Sequence, residues 1–295
     1  MNYRLLAKLF NSSEIKKSVA GDLELFRRVA TEFKELSSLT HVSDFYDEAY
    51  RLLLRHYRNE YVFKNEIANK ILLGRHSLNT TAMMSELRTG NNIADCVVIN
   101  GYSTCYEIKT EYDTLSRFRE QLSSYLNAYD KTYVVTHESH LDNVLSIQKE
   151  IGGFGVIEFT KRRQLKTLVE APISSTFDFA ATFETLRKAE YLYIAKQVRG
   201  EIPDMPNTEV YDFCKNAYRS LSASVARELF KDSLKKYRGN DRTFVELLPK
   251  SLKNVGISYQ LSRHEKNRLL CSVMHNASAG KGDEHVFPVF ERQAP

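Results

Sequence analysis

Between Ile93 and Lys109 the chain places charges where its own pattern calls for none. Ala94–Ile99 and Thr104–Thr110 are short runs rich in apolar and β-branched residues on either side of Asn100-Gly101, which predicts two neighbouring antiparallel strands. Yet Asp95 stands at the head of the first, and Glu107 and Lys109 stand near the end of the second. Side chains alternate along a strand, so Glu107 and Lys109 share one face while Ile108 points to the other and is available to the core. Ionised groups in strands of this kind are costly unless they pair with one another or with a metal ion. A shared site relieves that cost, so this one segment constrains fold and chemistry together.

Strand parity adds a geometric condition. If Asn100-Gly101 formed a strict two-residue turn, Ile99 would oppose Tyr102 and Asp95 would oppose Tyr106, leaving Glu107 on the far face. A loop of three or five residues, or a bulge, brings Asp95 opposite Glu107. The expectation is therefore a widened turn, although Asn-Gly is a strong two-residue signal.

Around this hairpin the pattern alternates. From Tyr3 to about Gly74 it is helical, with Leu23, Phe26, Val29, Phe33 and Leu36 at helical spacing and a last helix over Glu60–Leu73. Strands are predicted at Thr81–Leu87, Ala94–Ile99, Thr104–Thr110, Thr132–Thr136 and Gly155–Phe159, with helices at Asp113–Tyr129 and Leu141–Glu150. Helices return at Phe183–Gln197, Val210–Tyr237 and Arg242–Leu252. This is an α/β pattern, read as an N-terminal helical region 1–59, a core 60–176, a C-terminal helical region 177–276 and a flexible tail 277–295.

Composition excludes several classes. Of 295 residues, 42% are apolar and 27% charged, as in soluble globular proteins. The apolar runs are too short to span a bilayer and the N-terminus lacks a leader pattern, so the expectation is a cytoplasmic protein with no membrane association. Cys96, Cys105, Cys214 and Cys271 show no paired spacing, and His137 and His140 have no second ligand pair, so neither disulfides nor zinc are expected. Residues 1–150 carry 19 Lys and Arg against 20 Asp and Glu, whereas the remainder carries 23 against 17. Lys161-Arg162-Arg163 and the run Lys235 to Arg238 are the strongest candidates for phosphate contact outside the core, although a basic surface alone is more often merely solvated.

The layout of Glu66 on a helix, Asp95 opening one strand, Glu107-Ile108-Lys109 ending the next and Gln121 on the following helix resembles the PD-(D/E)xK nuclease superfamily, over roughly Glu60 to Phe159. Ala94 stands where proline often precedes the aspartate, a departure that removes no ligand. The longer run from Tyr106 through Asp113, Arg117, Gln121 and Tyr125 to Thr136 is similar to a little-characterised family of small bacterial and prophage-associated proteins assigned to that superfamily, in which an acid recurs on the first strand, here Glu86. The resemblance implies a restriction-endonuclease-like core with a mixed central β-sheet flanked by helices. It implies Mg²⁺, with Mn²⁺ as a substitute, held by Asp95, Glu107, the carbonyl of Ile108 and either Glu86 or Glu66. Lys109 would activate water and Gln121 orient it. The expected activity is phosphodiester hydrolysis in nucleic acid, DNA before RNA, in phage defence or mobile-element biology, with the C-terminal helices open to a protein partner. The alternative is a catalytically silent or partner-activated binding module on the same fold. Glu14-Ile15-Lys16 repeats the triplet in a helical stretch with no acid-bearing strand before it and is read as a solvated helix face.

Overall fold

A computed structural model describes residues 1–274. The chain divides into two compact units: Lys70–Asn240 forms one, and Met1–Asn69 joins the segment from Asp241 onward in the other.

The first of these is built on a six-stranded mixed sheet whose strands follow chain order: β1 (Ala82–Thr89), β2 (Asn92–Asn100), β3 (Tyr102–Lys109), β4 (Lys131–Thr136), β5 (Gly155–Phe159) and β6 (Leu165–Val169). β1, β2 and β3 form an antiparallel meander, β4 and β5 run parallel to β3, and β6 returns antiparallel to β5. Parallel neighbours need crossovers, which the helices Phe118–Ala128 and Leu141–Ile151 supply. Their Phe118, Leu122 and Val144 pack with Val134 of β4 and Val156 of β5. Over the meander, Met84, Val97, Ile99 and Cys105 bury against Tyr125 and Tyr129 and against Phe183, Ile194, Tyr218, Phe230 and Leu234 from the helices Phe179–Thr185, Lys188–Arg199, Asn207–Arg219 and Ala223–Arg238.

Several element limits differ from the sequence reading, each with a local cause. The helix expected from Asp113 begins at Phe118, because Asp113 Oδ2 accepts from the N–H and hydroxyl of Thr110 at 2.7 and 2.8 Å and closes a turn there. The Phe183–Gln197 stretch divides at Leu186–Arg187, where Glu190 takes the Arg187 N–H at 2.7 Å and opens a new helix. Val210–Tyr237 divides at Ser220–Ser222, with Ser222 accepting from the Val225 N–H at 3.4 Å as N-cap. Arg242–Leu252 stops at Leu247, ahead of Pro249. Glu60–Leu73 passes into a π-helical turn at Ala68–Leu72. β6 was not expected: it is an edge strand whose residues are half-buried or exposed, so it lacks the apolar alternation that marks a core strand.

In the other unit, a buried aromatic cluster joins Phe10 and Tyr61, stacked at 4.6 Å, with Phe26, Phe45 and Tyr46. Its C-terminal contribution is laced in by polar contacts: Tyr61 donates to the Ser251 carbonyl at 2.6 Å, Asn65 Nδ2 to the Lys250 carbonyl at 2.9 Å, and the Asn254 N–H to Asn65 Oδ1 at 2.9 Å. The expected C-terminal region 177–276 is thus shared between the units, and the expected tail 277–295 lies outside the described residues. Among the described residues, no helix is long and apolar enough to cross a membrane.

Candidate active site

The β2–β3 register decides whether the three sequence-predicted charges can meet. Ile99 pairs with Ser103 and Asn100 with Tyr102, around Gly101 at φ 66. The connection is thus the widened turn that parity requires, and glycine suits its left-handed apex. Along the ladder Cys96 faces Tyr106, so Asp95 and Glu107 stand at the same level and on one face. The β2–β3 backbone pairing ends there, and Asp95 Oδ2 accepts the Ile108 N–H at 2.7 Å in its place.

Lys109 closes the group. Its ammonium lies 2.8 Å from Glu107 Oε1, donates to Gln121 Oε1 at 2.9 Å, and sits 5.6 Å from the Phe118 ring centroid. Phe118, Gln121 and Tyr125 present one face of their helix to the strand ends, as side chains about one and two turns apart do. Tyr125 fixes that helix by donating to the Ile93 carbonyl at 2.7 Å. Tyr125 itself is fully buried, so its ring belongs to the packed helix face.

The charged groups of the site are largely shielded from solvent. Glu107 is 1% exposed and Lys109 6%, while Asp95 and Gln121 are half-buried. Burial pushes the Glu107 carboxyl above its ordinary value, against the pull of the Lys109 ammonium. Glu107 Oε2 is buried without a hydrogen-bond partner. A carboxylate oxygen in that situation carries a desolvation cost of about 1–3 kcal/mol or more.

The location is set by topology. Lys109 pairs with Thr136, and Thr136 with Glu158, so the carboxyl ends of β3, β4 and β5 line one edge of the sheet. Open sheets gather ligands beyond such ends.

The remaining sequence candidates fall elsewhere or in lesser roles. Glu86 is exposed on β1 at the level of Asp95, between the paired Ser85 and Leu87, and adopts a left-handed φ of 55. A non-glycine residue held there costs about 1–2 kcal/mol. Glu66 belongs to the other unit, where it is buried and Tyr50 donates to its Oε1 at 2.7 Å. Ile108 buries its side chain on the opposite sheet face. Among the described residues, no group of three or more His, Cys, Asp or Glu side chains is disposed to hold a metal ion. Arg119 forms a two-point pair with Glu150 at 2.8 and 2.6 Å, and Arg117 donates to Asn92 at 3.1 Å, so both act as local fasteners. Glu14 of the decoy triplet pairs with Lys17 on a surface helix. Phe118 beneath the Lys109 ammonium was not anticipated; its place three residues before Gln121 was the available signal.

Comparison with curated proteins and with solved structures gives no match. The model of the family described as bacteriophage P4 protein cII matches residues 54–259, which takes in the whole sheet and every residue of this constellation, and the chain belongs to that family.

Proposed function

We propose that the protein is a metal-dependent nuclease with a restriction-endonuclease-like core, hydrolysing phosphodiester bonds in DNA. The observation that carries this reading is the meeting of Asp95, Glu107, Lys109 and Gln121 at the carboxyl edge of the sheet, with one Glu107 oxygen buried and unsatisfied.

The donor set fits a hard divalent cation: the orphaned Glu107 oxygen, Asp95 beside it and the backbone carbonyl of Ile108 are all oxygen ligands of the kind Mg²⁺ and Mn²⁺ prefer. Bound there, such an ion supplies Lewis-acid polarisation of the phosphodiester and acidifies a coordinated water. Glu86, at the level of Asp95, is the acid best placed along the chain to join them.

The protein's own groups divide the remaining work. Lys109 brings a positive charge, held from two sides by Glu107 and Gln121, to where negative charge gathers on the phosphate and the attacking oxygen. Gln121 reaches the site with an amide that can accept from and donate to a water, orienting it for attack. Phe118 keeps bulk water from one side of the ammonium. Asp95 is locked by the Ile108 N–H, so its carboxylate needs no reorganisation before use. Membership of the bacteriophage P4 cII family supports a role in phage or mobile-element biology.

The test is incubation of wild type, Asp95→Ala and Lys109→Ala with plasmid, linear and single-stranded DNA and with RNA, each in Mg²⁺, Mn²⁺ and EDTA. The expected result is cleavage that needs metal and is lost in both variants. Absence of cleavage on every substrate would replace this reading with a binding module.

A further inference from the structure

The basic run that follows β5 projects from the same edge of the sheet as the candidate active site. Lys109, Thr136 and Glu158 are register partners across β3, β4 and β5, so Lys109 and the end of β5 are two strand spacings apart, about 10 Å. Beyond Phe159 the chain turns back into β6 through Lys161, Arg162 and Arg163. This turn is closed by the Arg163 N–H to the Thr160 carbonyl at 2.8 Å and the Thr160 N–H to the Gln164 carbonyl at 2.9 Å.

The hairpin is held in a costly conformation. Arg163 has φ 61, one of two left-handed non-glycine residues among those described, the other being Glu86 beside Asp95. Its carbonyl accepts from Lys70, which sits in the π-helical turn Ala68–Leu72 and lies over the Phe159 ring at 5.7 Å. Strained φ values and π turns persist where the surrounding structure holds them, commonly at functional sites. Lys70, Gln164 and Lys166 then line a groove of about 370 Å³ below the turn, with Ile71 and Leu165.

Charge on this element is one-sided. Lys161, Arg162 and Lys166 are exposed, and Arg163 is half-exposed. The nearby acids are Glu138, 3.1 Å from Lys161, and Glu158, across the ladder from Lys166. Two carboxylates against five cations leave a positive ridge that a solvated β-turn does not require.

We infer that the β5–β6 hairpin, with Lys70 beneath it, is a phosphate-binding ridge that grips the DNA backbone a few nucleotides from the phosphate presented to Asp95, Glu107 and Lys109. This rests on the nuclease reading for its substrate, but the ridge and the chemistry can fail separately. The chemistry of the ridge is dominated by flexible ammonium and guanidinium groups, the kind that make sequence-independent phosphate contacts.

The experiment measures binding of a fluorescein-labelled DNA duplex and its single strand by fluorescence anisotropy, in EDTA so that nothing is cut, over a range of salt concentrations. Wild type is compared with the triple variant Lys161→Gln, Arg162→Gln, Lys166→Gln, whose changes are all at exposed positions and whose thermal midpoint serves as the folding control. Each lost phosphate contact lowers the log–log salt slope by about 0.9 on duplex, so the triple variant should lose about 2–3 from that slope and bind at least about tenfold more weakly at moderate salt. An unchanged slope and affinity in the folded variant, or wild type that binds no DNA, would overturn the ridge. Hairpin-dependent binding without metal-dependent cleavage would keep the ridge and remove the nuclease reading. Cleavage with an unchanged salt slope would do the reverse.

Discussion

Buried charge gathers near both ends of strand β3, and the two clusters differ in one respect. At its head, Asp130 lies beside Ser103: Oδ2 accepts from the Ser103 N–H and hydroxyl at 2.8 and 3.0 Å, while Oδ1 meets Arg227 at 2.8 Å. Lys231 approaches the same carboxylate at 3.5 Å and donates to the Gly101 carbonyl at 2.6 Å. Burial alone would raise Asp130, but the Ser103 N–H, Lys231 and Arg227 outweigh it and hold its carboxyl below the ordinary value. At the tail, about 13 Å along the strand, Glu107 has Lys109 as its ammonium partner and one oxygen without a hydrogen-bond partner, and burial holds its carboxyl above the ordinary value. The first cluster is complete and fastens the Ala223–Arg238 helix to the sheet. The second leaves one carboxylate oxygen unsatisfied, and the proposed metal site rests on that difference.

The largest effect expected from breaking this contrast is at the head. Asp130→Asn leaves Arg227 and Lys231 without their shared anion and should cost about 3–5 kcal/mol in denaturant unfolding. Cleavage per folded molecule should be unchanged, because the site lies at the strand's other end. Full stability in this variant would show that the fastening is incidental.

Next comes Lys109→Met, read as stability against pH. Removing the ammonium lets the Glu107 carboxyl rise further, so its folded value exceeds its unfolded value by more than in wild type. Folding then favours the protonated form, and stability is lost as pH rises through the two values. The variant should match wild type most closely in mild acid and fall behind toward alkaline pH, by about 1.4 kcal/mol per unit of additional shift. Thermal midpoints across that range decide it, and a deficit that grows toward acid would contradict the assignment.

Gln121→Ala should lower the cleavage rate about tenfold, equivalent to about 1.4 kcal/mol, with little change in DNA affinity. Equal loss of binding and rate would move Gln121 from orienting water to holding substrate. The smallest effect is that of Glu86→Gly: relief of its left-handed backbone should stabilise the fold by about 1 kcal/mol, and a simultaneous drop in apparent Mg²⁺ affinity for cleavage would identify Glu86 as a ligand.

The contrast also explains what the sequence could and could not disclose. Asp95, Glu107 and Lys109 lie within one hairpin, so strand period and turn parity were enough to place them together and to require a widened turn. The head cluster is equally definite in space but unites Asp130 with Arg227, 97 residues further on, and no local period links them. The same distance concealed the packing of the Phe179–Arg238 helices on the sheet and the joining of Tyr61 to Ser251. Helix breaks at Ser222 and Arg187 depended on single capping contacts inside stretches with strong helical periodicity. β6 was hidden because an edge strand buries too little to enforce alternation.

The turn Asn100–Gly101–Tyr102 links the two clusters. Its Gly101 carbonyl is clamped by Lys231 at the head, while its length fixes the phase in which Asp95 meets Glu107 at the tail. Insertion or deletion of one residue there would rotate Asp95 to the opposite face and leave Asp95, Glu107, Lys109 and Gln121 all intact in the sequence. A relative altered in this way would still display the full set of motif residues, so under the nuclease proposal hairpin length, and not residue identity alone, is the trait to inspect within this family.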